Sequence, residues 1–188
     1  MNKGLRGFTI VELLIVIVVI AVLASISIVM YTGIQDRARN SQVISLVNQW
    51  ESTLAIYNAQ KDTYPTSSIL AEYTCLGTDF PAEGPFAEGQ CMKSGWTAST
   101  DQTMMDSIRN EVGVQMPPSR LSTVSFVDGV GVTQQYRGLL YLSRNNGVGI
   151  TYVLKGTSHE CTDGDGFFEL GGYVACRRVL KGDPYQGL

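Results

Sequence analysis

A single histidine, His159, and four cysteines with no CxxC pair leave little from which to build a zinc site. No stretch resembles a phosphate-binding loop or a nucleophile–base–acid set, so neither an enzyme nor a cofactor is expected. Basic residues are scarce too. Outside the N-terminus the only cationic cluster is Arg177, Arg178 and Lys181, and the chain carries a formal charge of −3. A nucleic-acid binder shows a broad basic face, and there is no clear site for one here. Proline is absent before Pro65, so nothing breaks a helix over the first sixty positions. Internal repeats and low-complexity tracts are also missing.

What the chain does have is unevenly spread oil. Residues 13–24, LLIVIVVIAVLA, are apolar without a break, and only Ser25 and Ser27 interrupt the run to Tyr31. As a helix this run is about 29 Å long, close to the hydrocarbon thickness of a bilayer. Lys3 and Arg6 precede it, which keeps the short N-terminus on the cytoplasmic side and sends the rest of the chain out. The even cysteine count suits an oxidising compartment. Four cysteines allow three pairings, and the sequence does not choose among them; the local pairs Cys75–Cys91 and Cys161–Cys176 are expected because each encloses a short loop. The second bond should matter more for stability, since Cys176 lies in a predicted strand.

Beyond the oily run, Ile34, Ala38, Ser41, Ile44, Val47, Trp50, Leu54 and Tyr57 follow at steps of three and four, the stripe of an amphipathic helix. One helix is expected from Phe8 to Ala59. KDTYPTSS then breaks it at Pro65, and an irregular stretch runs to residue 98. STDQTMMDSIRNEVG predicts a short helix, with Ser99 and Gln102 as a capping box and Gly113 as its close. From Leu121 the period changes to two. LSTVSFV, RGLLYLSRN, VGITYVLK and GYVACRRVL predict strands, the middle pair joined through Asn146-Gly147. The fold class is therefore α+β: a long helix packed on an antiparallel sheet of about four strands. Asp163 and Asp165 in CTDGDGFFEL are weak candidates for a calcium loop, because a full twelve-residue pattern is lacking. His159 reads as an exposed loop residue.

One residue fits none of this. Glu12 stands at the start of the apolar run, where ionisable side chains are expensive. Its setting is Arg6-Gly7-Phe8-Thr9-Ile10-Val11-Glu12: a basic leader ending in glycine, a phenylalanine opening the apolar segment, a glutamate four residues on. This resembles the class III signal of type IV pilins and their relatives. The resemblance implies a leader over 1–7, cleavage between Gly7 and Phe8 by a prepilin peptidase, and N-methylation of Phe8. It implies a filament-core and transmembrane helix over 8–31 and an extracytoplasmic head over 32–188. It also implies an assembly ATPase with its platform protein as partners, and a subunit held in the cytoplasmic membrane before it joins a surface filament of its own copies.

The physics of the motif stands beside the resemblance. Phe8 and Glu12 lie one turn apart on one helix face. A new ammonium at Phe8 of one copy can meet the Glu12 carboxylate of another, and such pairs fix register more than they add stability. The function expected is therefore a structural subunit of a type IV pilus-like filament. Alternatives are a minor pilin or pseudopilin of a type II secretion or DNA-uptake system, and a tip adhesin using the Cys75–Cys91 loop or the Arg177–Arg178 patch. An ordinary signal peptide cut after Val22-Leu23-Ala24, or a plain single-span anchor, gives Glu12 no task. The chain departs from many type IV pilins in lacking a proline within the first helix.

Overall fold

The computed structural model describes residues 8–68, 73–95, 97–113, 115–161 and 166–185. The chain divides into two compact units, one up to Arg39 and one from Asn40 onwards. Helix α1 runs Ile10–Lys61. It ends where Asp62 takes a left-handed φ of 56°, a conformation that aspartate tolerates better than most residues. Pro65 then prevents any resumption.

The unit from Asn40 onwards has a sheet-rich α+β architecture. Its strands are β1 Thr74–Cys75, β2 Gln90–Lys93, β3 Thr97–Thr100, β4 Val124–Val127, β5 Thr133–Tyr136, β6 Leu140–Arg144, β7 Gly147–Lys155, β8 Gly166–Leu170 and β9 Tyr173–Gly182. They form one nine-stranded sheet in the order β4-β5-β2-β3-β1-β6-β7-β9-β8. Among the described residues only the β1–β3 pair is parallel. The expectation of about four strands is corrected to nine, and the stretch expected to be irregular up to residue 98 holds β1, β2 and β3. Strands of two to four residues are too short to show a period of two in sequence.

The main core lies where α1 crosses β7 and β9. Val43, Leu46, Val47, Trp50, Leu54 and Tyr57 are buried against Ile150, Tyr152, Leu154, Val174 and Cys176. The amphipathic stripe thus begins at Val43; Ile34, Ala38 and Ser41 are exposed, a correction to the predicted start. Asn40 fixes the edge of this contact. Its Nδ2 donates to Lys155 O (2.7 Å) and its Oδ1 accepts from Lys155 N (2.9 Å), so a buried amide satisfies the end of β7 in both directions. The β6–β7 hairpin turns through Asn145 and Asn146, one residue earlier than expected, because Gly147 already pairs with Arg144.

A second helix, α2 Gln102–Val112, adds Met104, Met105, Ile108 and Val112 to the core and closes on left-handed Gly113. Its cap is Asp101 rather than Ser99. The Asp101 carboxylate accepts from Met104 N (3.0 Å) and from the backbone and hydroxyl groups of Ser68 and the hydroxyl of Ser67. Burial pushes this carboxyl up, but the Met104 and Ser68 amides and the serine hydroxyls outweigh it and hold it below its ordinary value. A folded value below the unfolded one gives stability that is complete above the unfolded value, near pH 4, and lost as pH falls through the folded one. Asp101→Ala should therefore cost about 1–2 kcal/mol at neutral pH and flatten the loss of stability below about pH 4. Chemical unfolding at pH 7 and at pH 3 checks this; an unchanged acid limb in the variant contradicts it.

The far end of the sheet curls back on itself. Phe126 on β4 stacks on Tyr136 of β5 and on Tyr173 of β9, with ring centroids 6.0 and 5.4 Å apart. Val124 and Phe126 share a small core with Val153 and Ala175, so the edge strand β4 is covered on one face by the other end of its own sheet.

Candidate functional site

Thr9 and Glu12 build the start of α1 between them. The Thr9 hydroxyl and backbone N–H both donate to Glu12 Oε2 (2.8 and 2.9 Å), and Glu12 N donates back to Thr9 Oγ1 (3.2 Å). This is a capping box, Thr9-x-x-Glu12, which satisfies donors that a helix start otherwise leaves open. An acid there also suits the positive end of the helix dipole. The sequence holds this signal in TIVE, where the apolar setting makes the charge of Glu12 more conspicuous than its capping position. Glu12 therefore has a task inside its own chain, besides any task toward a neighbour. Capping does not exhaust it, since a carboxylate offers about four lone-pair positions.

After the cap the helix is apolar on every side. Ile10–Ser27 is long and apolar enough to cross a membrane, and none of it is buried against the chain. Large apolar side chains from Ile10 to Ile26 are 49–85% exposed. Its two hydroxyls are satisfied within the helix: Ser25 Oγ donates to Val22 O (2.7 Å) and Ser27 Oγ to Leu23 O (2.8 Å). A surface of this extent demands a cover of lipid or protein. Gly7, the glycine of the expected cut, lies outside the described residues with the rest of the leader. Phe8 is described and exposed.

The two disulfides join Cys75 to Cys91 and Cys161 to Cys176. The loop closed by the first is gripped by Arg137, which is buried. The Arg137 guanidinium lies 4.3 Å over Phe86, and its Nε donates to Gln90 O (2.8 Å). Sequence reasoning missed Arg137 because an isolated arginine in a polar stretch carries no pattern. The basic patch is differently engaged. Arg178 pairs with Glu51 on α1 at 2.7 Å, and Arg177 lies 4.4 Å over the Tyr185 ring. Both cations are thus held in contacts of the fold. His159 is exposed on a short 3₁₀ turn, Ser158–Glu160. Asp163 and Asp165 lie outside the described residues. Among the described residues no group of acidic, histidine or cysteine side chains is placed to hold a metal ion.

Comparison with known proteins points the same way as the apolar rod. Residues 2–28 match the family model described as the prokaryotic N-terminal methylation motif. The chain is 37% identical over 66 residues to the type II secretion system core protein G of Klebsiella michiganensis, covering 35% of this chain and 46% of that one. It is 27% identical over 112 residues to a fimbrial protein of Neisseria meningitidis serogroup B, covering 60% of this chain and 63% of the relative. It is 26% identical over 112 residues to the type IV major pilin protein of Neisseria gonorrhoeae, covering 60% and 66%. In each case the match falls short of two thirds of the relative's own length. No solved structure matches. The chain carries a prepilin-type methylation motif at its N-terminus, and its relatives are type IV pilins and the core protein G pseudopilins of type II secretion systems.

Proposed function

We propose that this chain is a structural subunit of a type IV pilus-like filament, polymerising through the apolar start of helix α1 once Phe8 is its N-terminus. The observation that carries the reading is the wholly uncovered apolar rod Ile10–Ser27 behind a capped, acidic start. Before assembly the rod sits in the cytoplasmic membrane, with the N-terminus inside and the sheet-rich unit outside. In the filament, rods of neighbouring copies cover one another. A prepilin peptidase cuts between Gly7 and Phe8, the Phe8 amine is methylated, and an assembly ATPase with a platform protein drives the polymer. The sequence RGFTIVE and the methylation-motif match support the processing step.

Processing and polymerisation are checked together. Intact mass and N-terminal sequencing of the cell-surface protein should give a start at Phe8 with a methylated amine, and electron microscopy of sheared material should show filaments containing this chain. A mature start at Ser25 contradicts the reading and indicates ordinary secretion. The match to core proteins G favours a second reading, a pseudopilin that forms a short filament inside a secretion machine. Abundance decides between them: a pilin dominates sheared surface filaments, whereas a pseudopilin is processed identically but stays with the envelope.

A further inference from the structure

The sheet ends at β4, and that end lacks the usual protection of an exposed strand. Among the described residues β4 pairs only with β5. Native edge strands carry lysine, proline or inward-pointing charge, which discourage other chains from adding to them. From Leu121 to Tyr136 the chain holds no lysine, arginine or proline, and Asp128 is its single charge. The loop that joins β4 to β5 presents Val127, Val130 and Val132 instead, 57, 85 and 36% exposed. Among the described residues from Asn40 onwards these are three of the five exposed large apolar side chains, the others being Ile56 and Val179.

The loop is held in shape from within. Asp128 Oδ1 accepts from Val130 N (3.1 Å) and Val132 N (2.8 Å), and Oδ2 accepts from Gln134 Nε2 (2.9 Å). Asp128 N donates to Val132 O (2.9 Å), and Gly131 N, at a left-handed φ of 85°, donates to Asp128 O (3.0 Å). The one acid is therefore spent on the loop itself. Behind it, Phe126 stacks on Tyr136 and Tyr173 and anchors the base of the hairpin. Three valines thus stand out on a support that has little freedom left to lose on binding.

From this we infer that the β4–β5 hairpin is a second contact between copies, its valines packing on the sheet-rich unit of the next subunit. The inference rests on the filament reading and extends it from the apolar rod to the surface of the sheet-rich unit. The chemistry of the tip selects an apolar protein surface. Nucleic acid and anionic lipid both call for cations, and the segment has none. A saccharide calls for polar side chains facing outward, and the carboxylate of Asp128 is turned inward. In a filament, the apolar surface regularly within reach is that of another copy. Helical growth repeats one contact between two different patches at every step, so a fixed apolar knob serves it once per subunit.

The test compares sheared-filament yield from cells making the wild-type chain, Val130→Lys, Val130→Ile and Val179→Lys. Withdrawing one valine from burial should lower the yield of Val130→Lys about tenfold. Val130→Ile keeps the apolar contact and should match the wild type, as should Val179→Lys, which charges an exposed valine on β9. A benzophenone attached through Val130→Cys supplies the direct arm: irradiated filaments should give an adduct whose mapped peptide comes from the sheet-rich unit of a second copy. This arm decides the matter even where Val130→Lys fails to fold. If the wild type forms no filament, the filament reading fails and the contact with it. If the wild type forms filaments and Val130→Lys yields as many, the contact alone is refuted. Equal losses from Val130→Lys and Val179→Lys, or adducts only with lipid or an unrelated protein, also overturn it.

Discussion

Replacing Cys75 and Cys91 together by alanine should destabilise the chain more than the same change at Cys161 and Cys176. Chain entropy does not separate the two bonds. Their sequence separations are 16 and 15 residues, so loop closure assigns each about 3 kcal/mol. Their surroundings do separate them. Cys75 and Cys91 are both fully buried, and Cys75 is half of the two-residue strand β1, held between β3 and β6 in the middle of the sheet. Losing the bond there frees a strand too short to hold itself and opens a gap beside Phe80 and Met92. Such gaps add to the loss of the constraint. Cys161, by contrast, is only half-buried and follows an exposed 3₁₀ turn. The sequence suggests the opposite order, because Cys176 lies in an evident strand whereas β1 and β2 are hidden. Denaturant unfolding of the full chain in detergent, wild type against both double variants, measures the difference. Equal losses, or a larger loss at Cys161 and Cys176, refute it.

How far the fold can be read from the sequence depends on how much chain each element uses. Helix α1 is legible because fifty-two residues carry no proline and the stripe from Val47 to Tyr57 keeps a helical period. Strands β6, β7 and β9 are legible because each runs five residues or more, and in β7 Val148, Ile150, Tyr152 and Leu154 alternate onto the core. Strands β1, β2, β3 and β5 are not, because two to four residues are too few to show a period of two, even though β2 pairs locally with β3 and β5 with β4. The hairpin turn shows a subtler failure. Asn146-Gly147 looks like a turn, yet Gly147 serves the close approach to Lys181 O, and Asn145-Asn146 makes the bend. At α2 the template of serine followed by glutamine selects Ser99, while Asp101 is placed by bonds from Ser67 and Ser68 that no local pattern contains.

The candidate site was more legible than the fold around it. An apolar run of membrane length and a misplaced acid are local facts, and neither needs a tertiary partner to be noticed. What the sequence left open was whether Glu12 is used inside its own chain. The bonds to Thr9 answer that, and they change how the assembly role has to be tested. Loss of filaments on changing Glu12 to valine no longer isolates a contact between copies, because valine also removes the cap.

Glu12→Gln should leave a folded, membrane-held subunit that yields only a small fraction of the wild-type filament. Glutamine keeps the capping box, since either glutamate or glutamine serves at that third position, and it keeps the size. It removes only the charge. If the carboxylate meets the Phe8 ammonium of a neighbouring copy in the apolar filament core, that ammonium is then left without its counter-charge, a severe loss in a medium of low dielectric. The filament repeats the loss at every subunit, so growth fails although the sheet-rich unit is untouched. Thr9→Val makes the opposite change. It removes the hydroxyl that caps α1 at 2.8–3.2 Å but keeps the acid, so filaments should persist. Glu12→Val removes both and should behave like Glu12→Gln rather than like Thr9→Val. The measurement is the ratio of sheared filament to membrane-retained subunit for the wild type and the three variants, with Phe8 processing followed by mass. Normal yield from Glu12→Gln together with failure of Thr9→Val would mean that the acid serves only its own helix. In that case the register of neighbouring copies has to be set elsewhere along the rod.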